Sequence, residues 1–481
     1  MSARLSDLLH RDLAEDPMIS GVTADSRKVK PGWLFAALPG TQSDGRAFIP
    51  AALKAGAAAI LAPNDVAGLS APVVNVLDPR RAYALAAAAF WGDQPKTVVA
   101  VTGTNGKTSV ATFCRQIFAA GGHSAASMGT LGLQVAEDGA IRQVTPAGMT
   151  TPDAADVAEL LARIASEGVT HLAMEASSHG IDQRRIDGVD LTAAGFLNLT
   201  QDHLDYHVTM GAYRTAKLRL FETLLPRGRT AVLNADSDAF PVFAAGCVTS
   251  GLTVMSVGAM GQGITLVERT LLPDGQRLKL ACQARTYDIR LPLAGAFQAS
   301  NALVAAGLCI AAGEAPETVF AALEHLQGAP GRLQRVGAGS KGGEAYVDYA
   351  HTPDGLRTVL EALRPHATGK LICVFGCGGD RDRGKRPIMG SIAADLADIA
   401  IVTDDNPRTE EAADIRAEVL AGDPRLREIG DRREAIRAGA AFLGEGDVLI
   451  VAGKGHEQGM VIGHVTHPFD DIEETLGALR G

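Results

Sequence analysis

The 481-residue sequence has no CxxC pair, no apolar stretch of membrane-spanning length, no low-complexity tract and no excess of positive charge. Each absence removes a class of protein. Its six cysteines, Cys114, Cys247, Cys282, Cys309, Cys373 and Cys377, are scattered. Cys373 and Cys377 flank a glycine turn but have no second pair, so neither a zinc ribbon nor a disulfide framework is expected, and all six read as reduced packing residues. The longest apolar candidate, Tyr83 to Trp91, is short and mostly alanine, which excludes a membrane helix. The opening residues MSARLSDLLHRDLAED lack the apolar core and cleavage site of a signal peptide, so a cytoplasmic location is expected. A formal net charge of -10 argues against nucleic acid as the main partner, because phosphate neutralisation needs a basic face. What remains is an ordinary globular balance, 46% hydrophobic and 21% charged, in a chain long enough for about three domains.

The most informative stretch is VVAVTGTNGKTS, Val98 to Ser109. β-branched residues stop at Thr102, the loop Gly103-Thr104-Asn105-Gly106 follows, and Lys107, Thr108 and Ser109 lead into a predicted helix from Val110 to Ala120. Glycines let backbone N–H groups close around phosphate oxygens, a helix start adds partial positive charge, a lysine bridges phosphates, and a hydroxyl can reach Mg2+. Only two residues separate Gly103 from Gly106, so the loop is a variant of the usual GxxxxGK[ST] pattern. Nucleoside triphosphate binding is the reading that follows.

Along the chain, residues 1–90 alternate strand, helix and turn signals and predict a small α/β domain. Its polar turns at Asp25-Ser26-Arg27 and Thr41-Gln42-Ser43 suit a sugar nucleotide, or in the first case ordinary turn chemistry. Residues 91–329 form the second segment. Val169 to Met174 reads as a buried strand ending in EASSHG, so Glu175 is either a Mg2+ ligand outside the carboxyl end of a strand or an incidental carboxylate there. Gln183, Arg184 and Arg185 follow, either an anion-binding cluster or a solvated face. A second strand leads into NLTQDHLDYH, where His203 reads as a metal contact or as a hydrogen-bonded structural histidine. Lys217 sits on an amphipathic helical stretch, Tyr213 to Phe221, where a surface lysine is the plain reading. Asn301, near the start of an alanine-rich helix, either touches a base or ribose or caps that helix. A loop at Gly328 to Arg332 opens the third segment, 330–481. There, strands at Ala345 to Val347, Leu371 to Phe375, Ile399 to Val402 and Val448 to Val451 alternate with helices and predict a parallel or mixed sheet. Asp404 to Arg408 and Ala452 to Glu457 follow two of those strands and make a plausible pocket mouth.

Taken in order, TGTNGKTS, EASSHG, NLTQDHLDYH, YRTAK, FQASN, YAHTPD and DNPR resemble the Mur ligase family, ATP-dependent enzymes that add amino acids to the peptidoglycan precursor. Order and spacing along almost the whole chain carry the resemblance. It implies three α/β domains: an N-terminal domain for the uridine nucleotide, a central P-loop-type ATPase sheet, and a Rossmann-like C-terminal domain for the amino acid. It implies that Gly103, Thr104, Asn105, Gly106, Lys107, Thr108 and Ser109 cradle ATP, with Asn301, Arg332, Asp348 and His351 on the nucleotide side. Thr108, Glu175, His203 and Lys217, the last as a carbamate, would surround Mg2+. Ser26, Thr41, Gln42 and Ser43 match uridine contacts, and Thr150, Thr151, Ser177, Gln183 and Arg185 match muramoyl-peptide contacts. The chain departs from the family at Met149, where a polar contact is expected. Within the family, Asp405, Asn406, Pro407 and Arg408 resemble the members that add meso-diaminopimelate to UDP-N-acetylmuramoyl-L-alanyl-D-glutamate, with Arg381, Gly453 and Glu457 as further diaminopimelate contacts. The implied catalytic set is Lys107, Glu175, His203 and Lys217, in a monomer with no nucleic-acid or membrane partner. A lysine-adding or D-Ala-D-Ala-adding ligase is opposed by DNPR. Folylpolyglutamate synthetase shares a GTNGK loop but is opposed by the N-terminal domain, and a non-ligating ATPase switch stands as the reading from another class.

Overall fold

A computed structural model describes residues 2–40, 44–137, 139–272 and 274–480, so Thr41, Gln42 and Ser43 lie outside the described residues. The chain divides into two compact units, residues 1–263 with 304–318, and 264–303 with 319–481.

In the first unit, the strands Gly21–Thr23, Trp33–Ala36, Ala59–Ala62 and Val73–Asn75 pair in that order, all parallel. The helix Pro79–Trp91 begins with proline at its first position, under a cap in which the Asp78 side chain accepts from the Arg81 N–H. Its buried face of Tyr83, Ala84, Ala86, Ala87 and Phe90 joins Leu34, Ala36 and Leu61 in one apolar cluster.

The main sheet of this unit runs Ala140–Gln143, Gly132–Glu137, Ala125–Gly129, His171–Glu175, Thr97–Thr102, Ala193–Phe196, Thr230–Asn234, Thr253–Gly258. From Ala125–Gly129 onward the pairs are parallel. Strand Thr97–Thr102 is flanked by His171–Glu175 on one side and Ala193–Phe196 on the other. The chain leaves it toward the first flank and returns to the second, so the direction of winding reverses there. In an open α/β sheet the crevice outside the carboxyl ends at such a reversal is where ligands bind. Tertiary position, rather than local sequence, thus puts the phosphate loop between Glu175 and Asn198.

The helix after the loop spans Lys107–Ala120, starting three residues before the expected Val110. Gly106 is its cap with φ 91°, a left-handed conformation glycine adopts without a Cβ clash, so Lys107 and Thr108 already occupy the first turn. The helix carrying Lys217 spans Met210–Arg219, and its continuation Leu220–Leu224 is a π-helical turn rather than the regular helix that the sequence pattern suggests.

The second unit holds an antiparallel meander, Ile264–Leu272, Gly275–Cys282 and Arg285–Leu291. It also holds a mixed sheet ordered Gln334–Ala338, Glu344–Asp348, Val448–Ala452, Leu371–Phe375, Ile399–Val402, Arg427–Glu428, parallel except for its first strand. All six cysteines are buried free thiols. Among the described residues no helix is long and apolar enough to cross a membrane.

Behind that sheet, Arg432 and Asp471 are fully buried and form a two-pronged pair, Nε and Nη2 each donating to a carboxylate oxygen at 2.7 Å. The guanidinium also donates to the carbonyls of Ala452 (3.0 Å) and Asp404 (3.2 Å), which ties the ends of two strands to the C-terminal helix. Removing one partner of such a pair strands a buried charge. Asp471→Asn is expected to lower the stability of this unit by about 3–5 kcal/mol, read as a lower urea midpoint.

Candidate active site

The phosphate loop is held shut by its own neighbours. The Asn198 side-chain oxygen accepts the N–H of Thr104 (3.1 Å) and of Asn105 (3.0 Å). The Thr104 hydroxyl donates to the Thr200 carbonyl, accepts the Thr200 N–H at 2.9 Å, and takes the Tyr213 hydroxyl at 3.3 Å. Lys107 Nζ donates to the carbonyls of Gly103 and Thr104, both at 2.9 Å. Lys217 Nζ donates to that same Gly103 carbonyl at 2.8 Å. Two lysine amines therefore meet at one backbone oxygen.

Lys217 is not a surface residue; its side chain is 1% exposed and its amine lies 4.4 Å from the centre of the Tyr213 ring. Burial, together with the charge of Lys107, pushes this amine well below the ordinary lysine range. A lysine so placed is the kind that serves as a nucleophile.

Glu175 is buried at the end of its strand, with Oε1 accepting the Thr130 N–H at 2.8 Å and Oε2 facing the Thr130 hydroxyl at 3.4 Å. The Thr130 hydroxyl in turn meets that of Thr150 at 3.0 Å. Thr151 bonds the Glu175 carbonyl (3.1 Å) and the Ser177 hydroxyl (3.0 Å), and Ser177 caps the short helix Ser178–Asp182. Gly129 makes room for this carboxylate: a Cβ there would stand 2.1 Å from Oε1. His203 takes a left-handed backbone, φ 53°, with its side chain 44% exposed and Nε2 3.4 Å from Asp202. Its ring lies edge-on to that of His179, centroids 4.9 Å apart. Thr108 and Ser109 are buried in the first turn of the loop helix. The Thr108 hydroxyl and the Glu175 carboxylate are oxygen ligands of the kind that a magnesium ion prefers, whereas the His203 imidazole offers nitrogen.

The polar run after EASSHG forms a chain rather than a solvated face. Arg185 donates to the Thr151 carbonyl (2.7 Å) and Gln183 Oε1 (2.8 Å), and Gln183 donates to the Tyr206 hydroxyl (3.2 Å), which donates to Asp182 (2.8 Å). Burial lowers the Arg185 pKa. Met149, exposed at this point, places its sulfur 3.8 Å from the same guanidinium, so the family departure falls on a live contact. Arg184 turns away to Asp78. Ser26 lines a cleft of about 890 Å³ walled by Trp33, Tyr83, Phe90 and Trp91. Beside it, the Arg27 guanidinium holds Asp25 down to about 2.

In the second unit, Asp405, Asn406 and Pro407 are buried, whereas Arg408 is half-buried with φ 52°. The Arg408 guanidinium donates to the Gly379 carbonyl at 2.7 Å, and its backbone pairs with Val461 and Gly463. Asn406 donates to Glu457 Oε2 at 2.9 Å. Gly453, φ 124°, leaves space that a Cβ would close to 2.6 Å from Asp405 Oδ2. Arg381 is exposed and donates only to the adjacent Asp380 carbonyl in the contacts described, which does not bring it into this cluster. Asn301 lies within helix Ala296–Ala311 and donates to Gln298, which donates to the Arg332 carbonyl, so it does not cap that helix. Arg332 stacks on Tyr349 at 4.6 Å, Asp348 accepts the N–H groups of Leu333 and Ala350, and burial raises the Asp348 pKa. His351 is exposed, and its Nδ1 lies 2.8 Å from the Tyr349 carbonyl.

Family models match three consecutive stretches: Mur ligase family, catalytic domain, at residues 18–93; Mur ligase middle domain at 101–309; and Mur ligase, glutamate ligase domain, at 331–455. A UDP-N-acetylmuramoyl-L-alanyl-D-glutamate--2,6-diaminopimelate ligase from Caulobacter vibrioides is 69% identical over 100% of this chain and 99% of its own. The chain belongs to the Mur ligase family. A solved structure of a diaminopimelate ligase of the same description matches this Mur ligase with TM-score 0.77 and 33% identity over 100% of this chain and 99% of that one. The ADP complex of the MurF ligase from Thermotoga maritima shares the fold, with TM-score 0.63 and 20% identity over 95% and 96%.

Sequence reasoning missed Lys454, Tyr213 and Asn198. Lys454 is fully buried and donates to Asn406 Oδ1 (2.9 Å) and Glu457 Oε2 (3.2 Å), which fixes both for this Mur ligase. Its signal was the carboxylate three residues on, in Gly453-Lys454-Gly455-His456-Glu457. A displacement of about 1 Å in a positioned group can cost roughly 10²-fold in rate. Gly129→Ala, which drives a methyl group into the Glu175 carboxylate, is expected to lower kcat by about 10²-fold in a phosphate-release assay while leaving far-ultraviolet circular dichroism unchanged.

Proposed function

We propose that this Mur ligase adds meso-diaminopimelate to the D-glutamate of UDP-N-acetylmuramoyl-L-alanyl-D-glutamate, with ATP cleaved to ADP and phosphate. The observation that carries this reading is end-to-end similarity, at 69% identity, to a relative named for that reaction. The geometry of each unit supplies the parts. A carboxylate acylates poorly because oxide would have to leave. Its attack on the γ-phosphate of ATP gives an acyl phosphate, from which phosphate leaves when the amine attacks the carbonyl carbon.

Little covalent work falls to the protein; positioning and charge neutralisation dominate phosphoryl transfer. Lys107 and the N-terminus of helix Lys107–Ala120 offset phosphate charge, and Asn198 holds the loop's N–H groups in place. Thr108, Glu175 and His203 would hold magnesium, which supplies further neutralisation of the phosphates when bound. Lys217, its amine shifted toward the neutral form, is suited to attack carbon dioxide: the N–C bond forms, a proton leaves, and a buried anionic carbamate results that can serve as a further metal ligand. Gln183, Arg185, Thr150, Thr151 and Ser177 supply the polar contacts for the muramoyl peptide, and Ser26 lies on the uridine side.

For the amino acid, the Arg408 guanidinium is the partner for the carboxylate at the far end of meso-diaminopimelate, a group that lysine lacks, and Glu457 or Asp405 takes the ammonium. Arg408 is half-buried, not sealed as a fully desolvated residue would be, so an unpaired guanidinium retains some water. The expected preference over lysine is therefore about 10²-fold rather than the ~10⁴-fold of a fully enclosed site. Phosphate release measured with each substrate omitted in turn should require ATP, the UDP-dipeptide and the amino acid together; release without the amino acid, or equal use of lysine, overturns the reading. Lys217→Ala is expected to lose at least about 10²-fold in kcat and to recover part of it with added formate or acetate. Full activity of that variant without rescue removes the carbamate role.

A further inference from the structure

At the opposite end of the strand that terminates in Glu175, three side chains from three separate elements come together. His171 begins the strand, His123 lies in the turn after the phosphate-loop helix, and Glu314 lies in the turn after helix Ala296–Ala311. One ligand atom from each lies within 4.8 Å of the other two. Four steps along the extended strand, about 13 Å, separate His171 from Glu175, so this cluster is distinct from the proposed nucleotide site. We propose that His123, His171 and Glu314 form a binding site for a transition-metal ion of the zinc class.

The hydrogen bonds set the ligand atoms. The Thr170 hydroxyl donates to the Ser124 carbonyl at 3.2 Å and so accepts from His171 Nδ1, 2.9 Å away. That leaves His171 Nε2 as the nitrogen with a free lone pair, and burial beside His123 lowers this histidine to about 4, keeping it neutral at physiological pH. An outer hydrogen-bond acceptor that fixes tautomer and ring orientation supports a metal-bound histidine, and here the Thr170 hydroxyl takes that place. His123 Nε2 lies 2.7 Å from Glu314 Oε1, so a metal ion entering there displaces the shared proton to solvent and takes its place between nitrogen and oxygen. Gly121 makes room for the carboxylate. Its backbone, φ -73°, suits any residue, but a Cβ would stand 2.7 Å from Glu314 Oε2. The two imidazoles are 3.8 Å apart and tilted by 31°, so one ring turns about its Cβ–Cγ bond for both lone pairs to converge. His123, with its side chain 34% exposed, is the ring that turns, while Phe118 backs His171 at 4.8 Å. Two imidazoles and one carboxylate favour zinc, cobalt or nickel over magnesium, and a water completes four-coordination. Occupancy clasps the end of the phosphate-loop helix to the strand that carries Glu175.

The test uses the full-length protein, stripped with a chelator and held in excess magnesium. It is titrated with zinc against a chromophoric competitor, and separately with cobalt(II), whose visible absorption reports coordination. The expected result is one zinc equivalent that survives His203→Ala and is weakened at least about tenfold by His123→Asn and by Glu314→Gln. His123→Asn changes a partly exposed side chain, which keeps the test independent of folding at the more buried His171. No saturable zinc binding, unchanged binding in both variants, or loss of that equivalent in His203→Ala overturns the site.

Discussion

The carbonyl oxygen of Gly103 is the constraint around which the proposed nucleotide site is built. It accepts from Lys107 and from Lys217, two residues that belong to different helices and that repel each other when both are charged. Desolvation, with the charge of Lys107 beside it, lowers the pKa of the buried amine, Lys217, well below the ordinary lysine range. The result is a division between the two lysines: Lys107 opens the loop helix, and the enclosed Lys217 is shifted toward the neutral form of its amine. Asn198, Thr200 and Tyr213 fix the loop that presents this oxygen, so the division depends on the strand Ala193–Phe196 lying beside Thr97–Thr102.

The second unit solves a comparable problem with opposite charges. Lys454 is fully buried within reach of Asn406, Glu457 and Asp405, and Arg432 with Asp471 braces the backbone from which Asp404 projects. Asp404 itself pairs with Arg416. Isolated, any of these charges would be costly; paired and hydrogen-bonded, they fix where Asn406 and Glu457 point. Arg408 stands at the edge of this network, anchored by backbone bonds to Val461 and Gly463 and by its contact with Gly379. An anchored, partly solvated guanidinium is well suited to reading a carboxylate.

The motifs were legible because each places a chemically distinctive group at a strand end, a position that hydrophobic periodicity reveals. TGTNGKTS and the strand before Glu175 were readable in this way. Lys217 was not: a lysine on a helical stretch is solvated by default, and only the packing of Tyr213 and the approach of Gly103 show it to be enclosed. Asn301 invited a capping role because it stands near a helix start, yet the helix begins earlier and hands it to Gln298. Met149 stood out in the sequence as a departure, and the structure gives it a partner in Arg185.

The sequence by itself determined the local chemistry: a glycine-bounded phosphate loop before a helix, acidic and imidazole groups after strands, and a basic residue after Asp405-Asn406-Pro407. These follow from short-range rules of backbone freedom, capping and strand alternation. Tertiary structure decided which groups share a dielectric environment. Whether a lysine is solvated or buried, which carbonyl two amines share, and whether His123, His171 and Glu314 come within one another's reach are set by contacts between residues far apart in the chain. The electrostatic energies that distinguish a surface side chain from a reactive one depend on burial and distance, and neither is encoded in local sequence.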